Sequence, residues 1–333
     1  MLSSHPRVKA AFVDGEVHGT YRCRICHGEG GRFYQVREMM FGTRVEYEYF
    51  LCASCGCLQL VGFIPGEEQY PASYYSYGSP SRATGARALL RAWRNRLVFR
   101  GKLMGRVVNR LLPYAEGAER WISSAGAGFS TRILDVGCGA GHLVLDLVGA
   151  GFKRAQGIDP FIPESVGAQL AGLVRKATLK EVAGEYDIVM FHHVLEHMAD
   201  PQAALIDAAR LLRPGGVCLI RLPVIPNAAW NEYRENWVQL DAPRHIFIHS
   251  INSLSLLGER AGFKLDDVQY DSTELQFTGS ELYSRGISLA GLTGAVSRRE
   301  VRRYRRQARQ LNRAKHGDQA AFYFRKILHE RAA

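Results

Sequence analysis

Apolar positions recur along this chain with two different periods, and the change of period divides it. Between residues 21 and 62 they alternate with polar ones, as in RVEYEYFLC, which predicts short half-buried strands. Residues 63–84 (FIPGEEQYPASYYSYGSPSRAT) lose both periods and are rich in Pro, Gly, Ser and Tyr, as linkers are. Over 85–112 helical spacing returns, with Leu89, Leu90, Trp93, Leu97, Met104, Val107 and Leu111 on one side.

From 131 onward short strand-like runs alternate with helical ones. RILDVG predicts a first strand, HLVLDLVGAG a helix, KRAQGID a second strand and GLVRKATL a short third. YDIVMFHHVLE holds a fourth strand, DPQAALIDAARLLRPGG a helix and VCLIRLPV a fifth strand. After a long loop, INSLSLLGERAG reads as a helix, KLDDVQYDS as a sixth strand and GDQAAFYFRKIL as a turn entering the last. A helical stretch from about 287 to 316 interrupts those two strands. This order predicts the α/β class, a seven-stranded, mostly parallel sheet with helices on both faces. The expected division is a tail (1–20), a cysteine module (21–62), a linker with basic amphipathic helices (63–125) and a core (126–333). The core carries insertions at about 226–250 and 287–316.

Length and charge refine this picture. A chain of 333 residues suits two modules and buries a full α/β core. No window holds eighteen uninterrupted apolar residues, and MLSSHPRVKAAFVDGE has no apolar stretch of the secretory kind. The expectation is a cytoplasmic protein whose seven cysteines stay reduced or bind metal. The net charge of +11 is concentrated: residues 82–110 carry nine Arg/Lys and no acid, and residues 291–333 carry twelve against three acids. The rest of the chain is therefore mildly acidic, which argues against a protein that coats nucleic acid. It leaves room for local basic surfaces that meet phosphate, anionic lipid or RNA.

Cys23-x2-Cys26 and Cys52-x2-Cys55 are two knuckles separated by 25 residues of strand-like sequence. Four thiolates satisfy tetrahedral Zn²⁺, and a closed shell leaves no position for catalysis. A small structural zinc ribbon is expected, against reduced free cysteines or an iron–sulfur centre. Cys57 is a spare, and Cys138 and Cys218 fall in core strands.

The strongest chemical signal is LDVGCGAGH, residues 134–142. A strand ends at Asp135–Val136, and Gly137, Gly139 and Gly141 make a tight turn into a helix, where backbone can approach a ligand closely. The spacing is G-x-G-x-G rather than the G-x-G-x-x-G of dinucleotide binders. Asp159, eighteen residues beyond Gly141, closes the second strand, where an acid can accept hydrogen bonds from both ribose hydroxyls. The plain alternative is a nucleotide-binding dehydrogenase or an α/β core without a cofactor.

On these residues the chain resembles class I S-adenosylmethionine (SAM)-dependent methyltransferases over about 130–225 and again near 240–285. The resemblance implies a Rossmann-like core in which Asp135 faces the methionine amino group, the Gly137–Gly141 turn packs on the cofactor and Asp159 holds the ribose. It places the backbone near His192 beside the cofactor and, more loosely, Thr178 and Leu179 at the adenine.

Asp241 to Phe263 is similar to the corresponding part of the deoxysugar C-methyltransferases, which also begin with a zinc-binding segment. Those enzymes use a Glu-His pair before the helix for acid/base chemistry, and the matching pair here is Arg244–His245. The histidine is kept and the carboxylate lost, which points toward oxygen rather than carbon methylation. His245 is then a candidate base and Arg244 a candidate acceptor contact, or both are loop residues anchoring the insertion. His193, Glu196 and His197 resemble the segment where ubiquinone-pathway O-methyltransferases bind a divalent metal, although LEH with D-P also buttresses the cofactor pocket across this fold. Tyr74–Gly78 either cap the acceptor pocket or pack at a boundary. SRREVRRYRRQARQLNR puts Val301, Tyr304, Ala308 and Leu311 on a narrow stripe, a solvated helix or a phosphate-binding one.

The leading expectation is methyl transfer to a sugar nucleotide or glycan intermediate, with SAM and structural Zn²⁺ as cofactors and a transient anionic membrane surface as a further partner. The runner-up is an RNA methyltransferase gripping phosphates. Against it stand a fourth strand ending in FHHVLEH and basic segments without interleaved aromatic platforms. A non-catalytic SAM-binding module is the third reading.

Overall fold

The computed structural model describes residues 21–62, 118–163, 172–289 and 296–327, with isolated positions between 66 and 107 and Leu170. The expected tail, most of the linker, Tyr74–Gly78 and most of the 85–112 helix lie outside the described residues. Of that helix Leu90, Trp93, Leu97 and Val107 are helical, and Leu90, Trp93 and Val107 are exposed rather than packed.

The cysteine module forms three antiparallel strands, β1 (Gly31–Arg37), β2 (Glu46–Cys52) and β3 (Leu58–Leu60). Helix α1 (Ala118–Ser124) leads to β4 (Ile133–Val136), α2 (His142–Ala150), β5 (Ala155–Ile158) and β6 (Val174–Arg175). Then follow β7 (Tyr186–His192), α3 (Pro201–Leu211) and β8 (Leu212–Pro223). The insertion holds α4 (Ala228–Tyr233) and β9 (Phe247–Ile248), and α5 (Ile251–Arg260) and β10 (Phe263–Tyr270) return the chain to the sheet. Helices α6 (Leu275–Ser284) and α7 (Arg298–Arg313) precede β11 (Gln319–Lys326).

Seven strands make one sheet in the order β10-β11-β8-β7-β4-β5-β6, with β11 antiparallel to both neighbours. The expected α/β sheet is therefore present. Its strands read as near-continuous apolar runs because both faces are covered: β4 and most of β7, β8 and β11 are buried. Helix α3 starts where Asp200 accepts from Ala203 N at 2.9 Å with Pro201 in the first turn, and α5 where Ser250 accepts from Ser253 N. Helix α7 packs by Tyr304 and Ala308 against Phe277 of α6, with Val301 and Leu311 half-buried, so the narrow stripe is used. Helix α6 has no counterpart in the pattern reading, which began the helical stretch near 287. Seven of its ten residues are buried, including polar Gln276, Thr278 and Ser280, so it lacks an amphipathic period.

The cysteine module is not a free-standing appendage. Strand β3 pairs with β9 from the insertion, making a four-stranded sheet β1-β2-β3-β9. Tyr49, Leu58 and Leu60 of the module share one core with Trp230, Trp237, Leu240 and Ile248 of the insertion. The insertion is also tied to the main sheet by Trp237 Nε1, which donates to Asp318 at 3.1 Å.

Burial pushes the Asp318 carboxyl up to about 6. Between the ordinary carboxylate value near 4 and that value, the folded chain holds a proton that the unfolded chain has released. Stability therefore falls as pH rises through this window, and the loss is complete above it. Asp318→Asn keeps an acceptor for Trp237 and is expected to raise stability at pH 7.5 by on the order of 2–3 kcal/mol, and far less at pH 4. Thermal melts at both pH values check this, and equal shifts would contradict it.

Candidate cofactor and acceptor site

The glycine turn between β4 and α2 meets its neighbours so closely that side chains are excluded. Gly137 has φ 69° and a Cβ there would lie 2.6 Å from Val194; Gly141 has φ 82° and a Cβ would lie 2.6 Å from Val174. Asp159 follows β5 and receives the turn: its Oδ2 accepts from Gly139 N at 3.0 Å and its Oδ1 from Phe161 N at 2.8 Å. Asp135, only 2% exposed, lies near the end of β4. Burial, and then the Asp159 charge, push its carboxyl well above the usual range. Two buried carboxylates beside a glycine turn form a pocket that favours a cation flanked by hydroxyls. Thr178 caps a short turn through Glu181, and Leu179 is buried behind it.

His192 ends β7, and the next turn carries His193, Glu196 and His197. The ring of His192 lies 5.0 Å from that of Trp121, and burial and then Arg221 hold it well below the usual histidine range. Arg221 of β8 stacks over Trp121 at 4.4 Å and pairs with Asp271 at 2.6 Å. Its Nη1 also reaches His193 Nε2 at 2.6 Å, which fixes the other nitrogen, Nδ1, as the donor to Glu196 Oε1 at 3.1 Å. Arg221, Asp271 and Trp121 escaped the sequence reading. The available signal was an arginine inside the apolar run VCLIRLPV.

The insertion brings His245 to this turn. Its ring centroid is 4.7 Å from that of His197, and its Nε2 is 4.0 Å from both Glu196 Oε1 and Asp241 Oδ2. The carboxylate missing at position 244 thus has spatial substitutes in Glu196 and Asp241. Arg244, the expected acceptor contact, is 1% exposed and clamped between Asp241 and Glu38, the latter at 2.9 Å. Although burial alone would raise it, the Arg244 guanidinium holds the Asp241 carboxyl below the usual range. Glu38 also accepts from Phe41 N and Thr43 N at 2.9 Å, so this ion triad locks the insertion to the cysteine module. A contact with a bound acceptor needs a guanidinium free to meet it, and Arg244 is committed to these two carboxylates.

The four module cysteines converge. Cys23 and Cys55 Sγ are 3.6 Å apart, as are Cys26 and Cys52, and all four lie within 4.8 Å of one another. Zinc–sulfur bonds of about 2.3 Å give tetrahedral edges of about 3.8 Å, so the set fits one tetrahedral ion. Ile25 N and Gly28 N donate to Cys23 and Cys26 Sγ at 3.4 Å, the knuckle arrangement that supports thiolates. Cys57 is fully buried and stays out of the set.

A parallel sheet with a glycine turn after its central strand, an acid after the next and polar groups over the strand ends defines a cofactor-dependent α/β enzyme core. A family model for a methyltransferase domain matches residues 91–268, more than half of the chain. The chain belongs to this family, the class I SAM-dependent methyltransferases. A tRNA U34 carboxymethyltransferase from Hydrogenovibrio crunogenus is 30% identical over 149 residues, 40% of this chain and 44% of that protein. A ubiquinone biosynthesis O-methyltransferase from Escherichia coli is 32% identical over 102 residues, 28% of this chain and 42% of that protein. The chain thus spans less than half the length of these curated relatives. Among solved structures, a possible histamine N-methyltransferase from Thermotoga maritima is 19% identical with a TM-score of 0.38, covering 72% of this chain and 97% of that chain. No helix among the described residues is long and apolar enough to cross a membrane.

The residues present fit SAM: Asp135 would face its ammonium group and Asp159 its ribose, with Gly137 and Gly141 against the body of the molecule. Bound there, SAM supplies an electrophilic methyl group. Asp159→Ala is expected to weaken SAM binding by roughly 10- to 100-fold, the loss of hydrogen bonds to a charged acceptor. Calorimetric titration checks this, and unchanged affinity would remove Asp159 from the site.

Proposed function

We propose that the protein transfers a methyl group from SAM to a hydroxyl oxygen of a sugar nucleotide or glycan intermediate. The observation that carries the reading is the group Glu196, His197 and His245, assembled on the turn whose Val194 packs against Gly137. Methyl transfer needs an in-line nucleophile, and a hydroxyl becomes one when its proton is drawn away. His245 is the residue set to act on that hydroxyl, while Arg244 braces the loop. Eight exposed arginines of α7, among them Arg298, Arg302, Arg306 and Arg309, suit the phosphates of such an acceptor or an anionic membrane surface. The four cysteines hold one structural Zn²⁺, in keeping with a reducing cytoplasmic setting.

Methyl-labelled SAM offered with a panel of nucleoside-diphosphate sugars and, separately, with tRNA tests the reading. Label in the sugar fraction, released as a methyl ether, supports it. Label confined to tRNA replaces it with the RNA reading, which the arginines of α7 also favour.

A further inference from the structure

Helix α7 carries eight arginines and one acid in sixteen residues, and the acid, Glu300, is taken up in the helix cap with Ser297. At about 100° per residue, Arg298, Arg302, Arg306, Arg309 and Arg313 fall within one sector of about 80°. That sector lies opposite Tyr304 and Ala308, which pack the helix onto α6. Arg305, at the flank, pairs with Glu274 at 2.7 Å, and the five outward arginines make no ion pair among the described residues. They form a cationic row about 22 Å long.

The row does not stabilise its own helix. Like charges four residues apart oppose a helix, and Arg298 and Arg299 stand at the end where the helix dipole is already positive. A local rule broken without a compensating contact marks a functional surface. Side chains diverge from a convex helix, so a lone phosphate meets two of them at most, whereas an extended anionic surface meets all five.

A second observation separates lipid from nucleic acid. Residues 82–110 carry nine Arg/Lys and no acid. Within that run Leu90, Trp93 and Val107 are helical and are 58%, 54% and 50% exposed. Leu90 and Trp93, three residues apart, share one side of the helix. Aliphatic side chains among cations gain nothing from a sugar–phosphate backbone. They do enter the boundary between lipid headgroups and acyl chains, where tryptophan is also favoured.

We propose that the chain docks peripherally on an anionic lipid bilayer, through the outward arginines of α7 and the exposed Leu90, Trp93 and Val107 of the basic segment. Asn312, near the end of α7, is bonded to the backbone of Ser272 at 3.0 and 2.9 Å, just after β10. Ala228 N of the insertion donates to the His316 carbonyl at 3.1 Å. The docked helix therefore borders the strand ends and the insertion that form the proposed acceptor site. The docking rests on the proposed function for its purpose, but vesicle binding needs neither SAM nor acceptor. Its failure is thus distinguishable from a failure of that reading.

The test is co-sedimentation of the full chain with phosphatidylcholine vesicles, with and without phosphatidylglycerol, at about 0.15 M salt. Binding to the anionic vesicles is expected to be about ten-fold or more stronger than to neutral ones, and largely lost at about 1 M salt. Each cation near such a surface strengthens binding about five-fold, so a chain carrying Arg298→Gln, Arg302→Gln and Arg306→Gln is expected to bind about thirty-fold or more weakly. Trp93→Ser is expected to weaken binding several-fold. A melting curve no lower than that of the parent chain and unchanged S-adenosylhomocysteine binding establish that the triple variant is folded. Should it melt lower, Arg302→Gln with Arg306→Gln carries the same expectation at about ten-fold or more. Equal sedimentation of the arginine variants, no preference for anionic vesicles, or arginine-dependent retention on tRNA without vesicle binding each overturns the proposal.

Discussion

Replacing His245 with alanine is expected to lower kcat by about 10²-fold or more while SAM affinity stays within error. The side chain sits over the turn beside the cofactor glycines, with Nδ1 held by Gln239 and Nε2 facing Glu196, so its loss removes chemistry and leaves the cofactor pocket intact. A selective fall in kcat is the signature of an interaction made in the transition state, whereas a rise in KM alone marks ground-state binding. The experiment requires the acceptor found with labelled SAM, and full turnover by the variant on that acceptor would make His245 a structural loop residue.

Breaking the four-cysteine set proposed to hold zinc is expected to reach the acceptor site as well as stability. From the sequence, Cys23→Ser or Cys52→Ser lowers solubility without touching chemistry selectively. The structure adds a physical link: β3 pairs with β9, Ser250 Oγ donates to the Cys55 carbonyl, Tyr49 Oη donates to the His245 carbonyl at 2.8 Å, and Glu38 clamps Arg244. A structural zinc contributes on the order of 10 kcal/mol to the fold around it. Cys23→Ser is therefore expected to abolish stoichiometric zinc and lower Tm by roughly 10 °C or more. Below that Tm, kcat should fall about ten-fold while SAM affinity changes less than about three-fold, because Asp135 in β4 and Asp159 after β5 are placed by the main sheet, and the module's strands pair in the other. Metal analysis with melting curves and steady-state kinetics checks each part. Normal turnover by a zinc-free chain would contradict the coupling.

The main sheet was legible because its strands are short apolar runs punctuated by glycine and separated by helices of ordinary period. The glycine turn and Asp159 were legible because close approach restricts residue type at fixed spacing. Other features depend on contacts distant in sequence. Nothing local marks Phe247–Ile248 as the fourth strand of a sheet begun at Gly31, since two residues carry no period. Arg244 reads as an exposed loop cation until Glu38, 206 positions away, is placed beside it. Glu196 reads as part of a common fold motif until the insertion lays His245 against it. Helix α6 escaped because it is buried on nearly every side and mixes Gln, Thr and Ser with Phe and Leu.

The central claim, that the strand ends from Asp135 to Asp159 hold SAM, is tested most directly by isothermal titration of the purified wild-type chain with S-adenosylhomocysteine, the demethylated product. The account predicts saturable binding of one molecule per chain, competed by SAM. A folded chain that takes up neither molecule at millimolar concentration would contradict it.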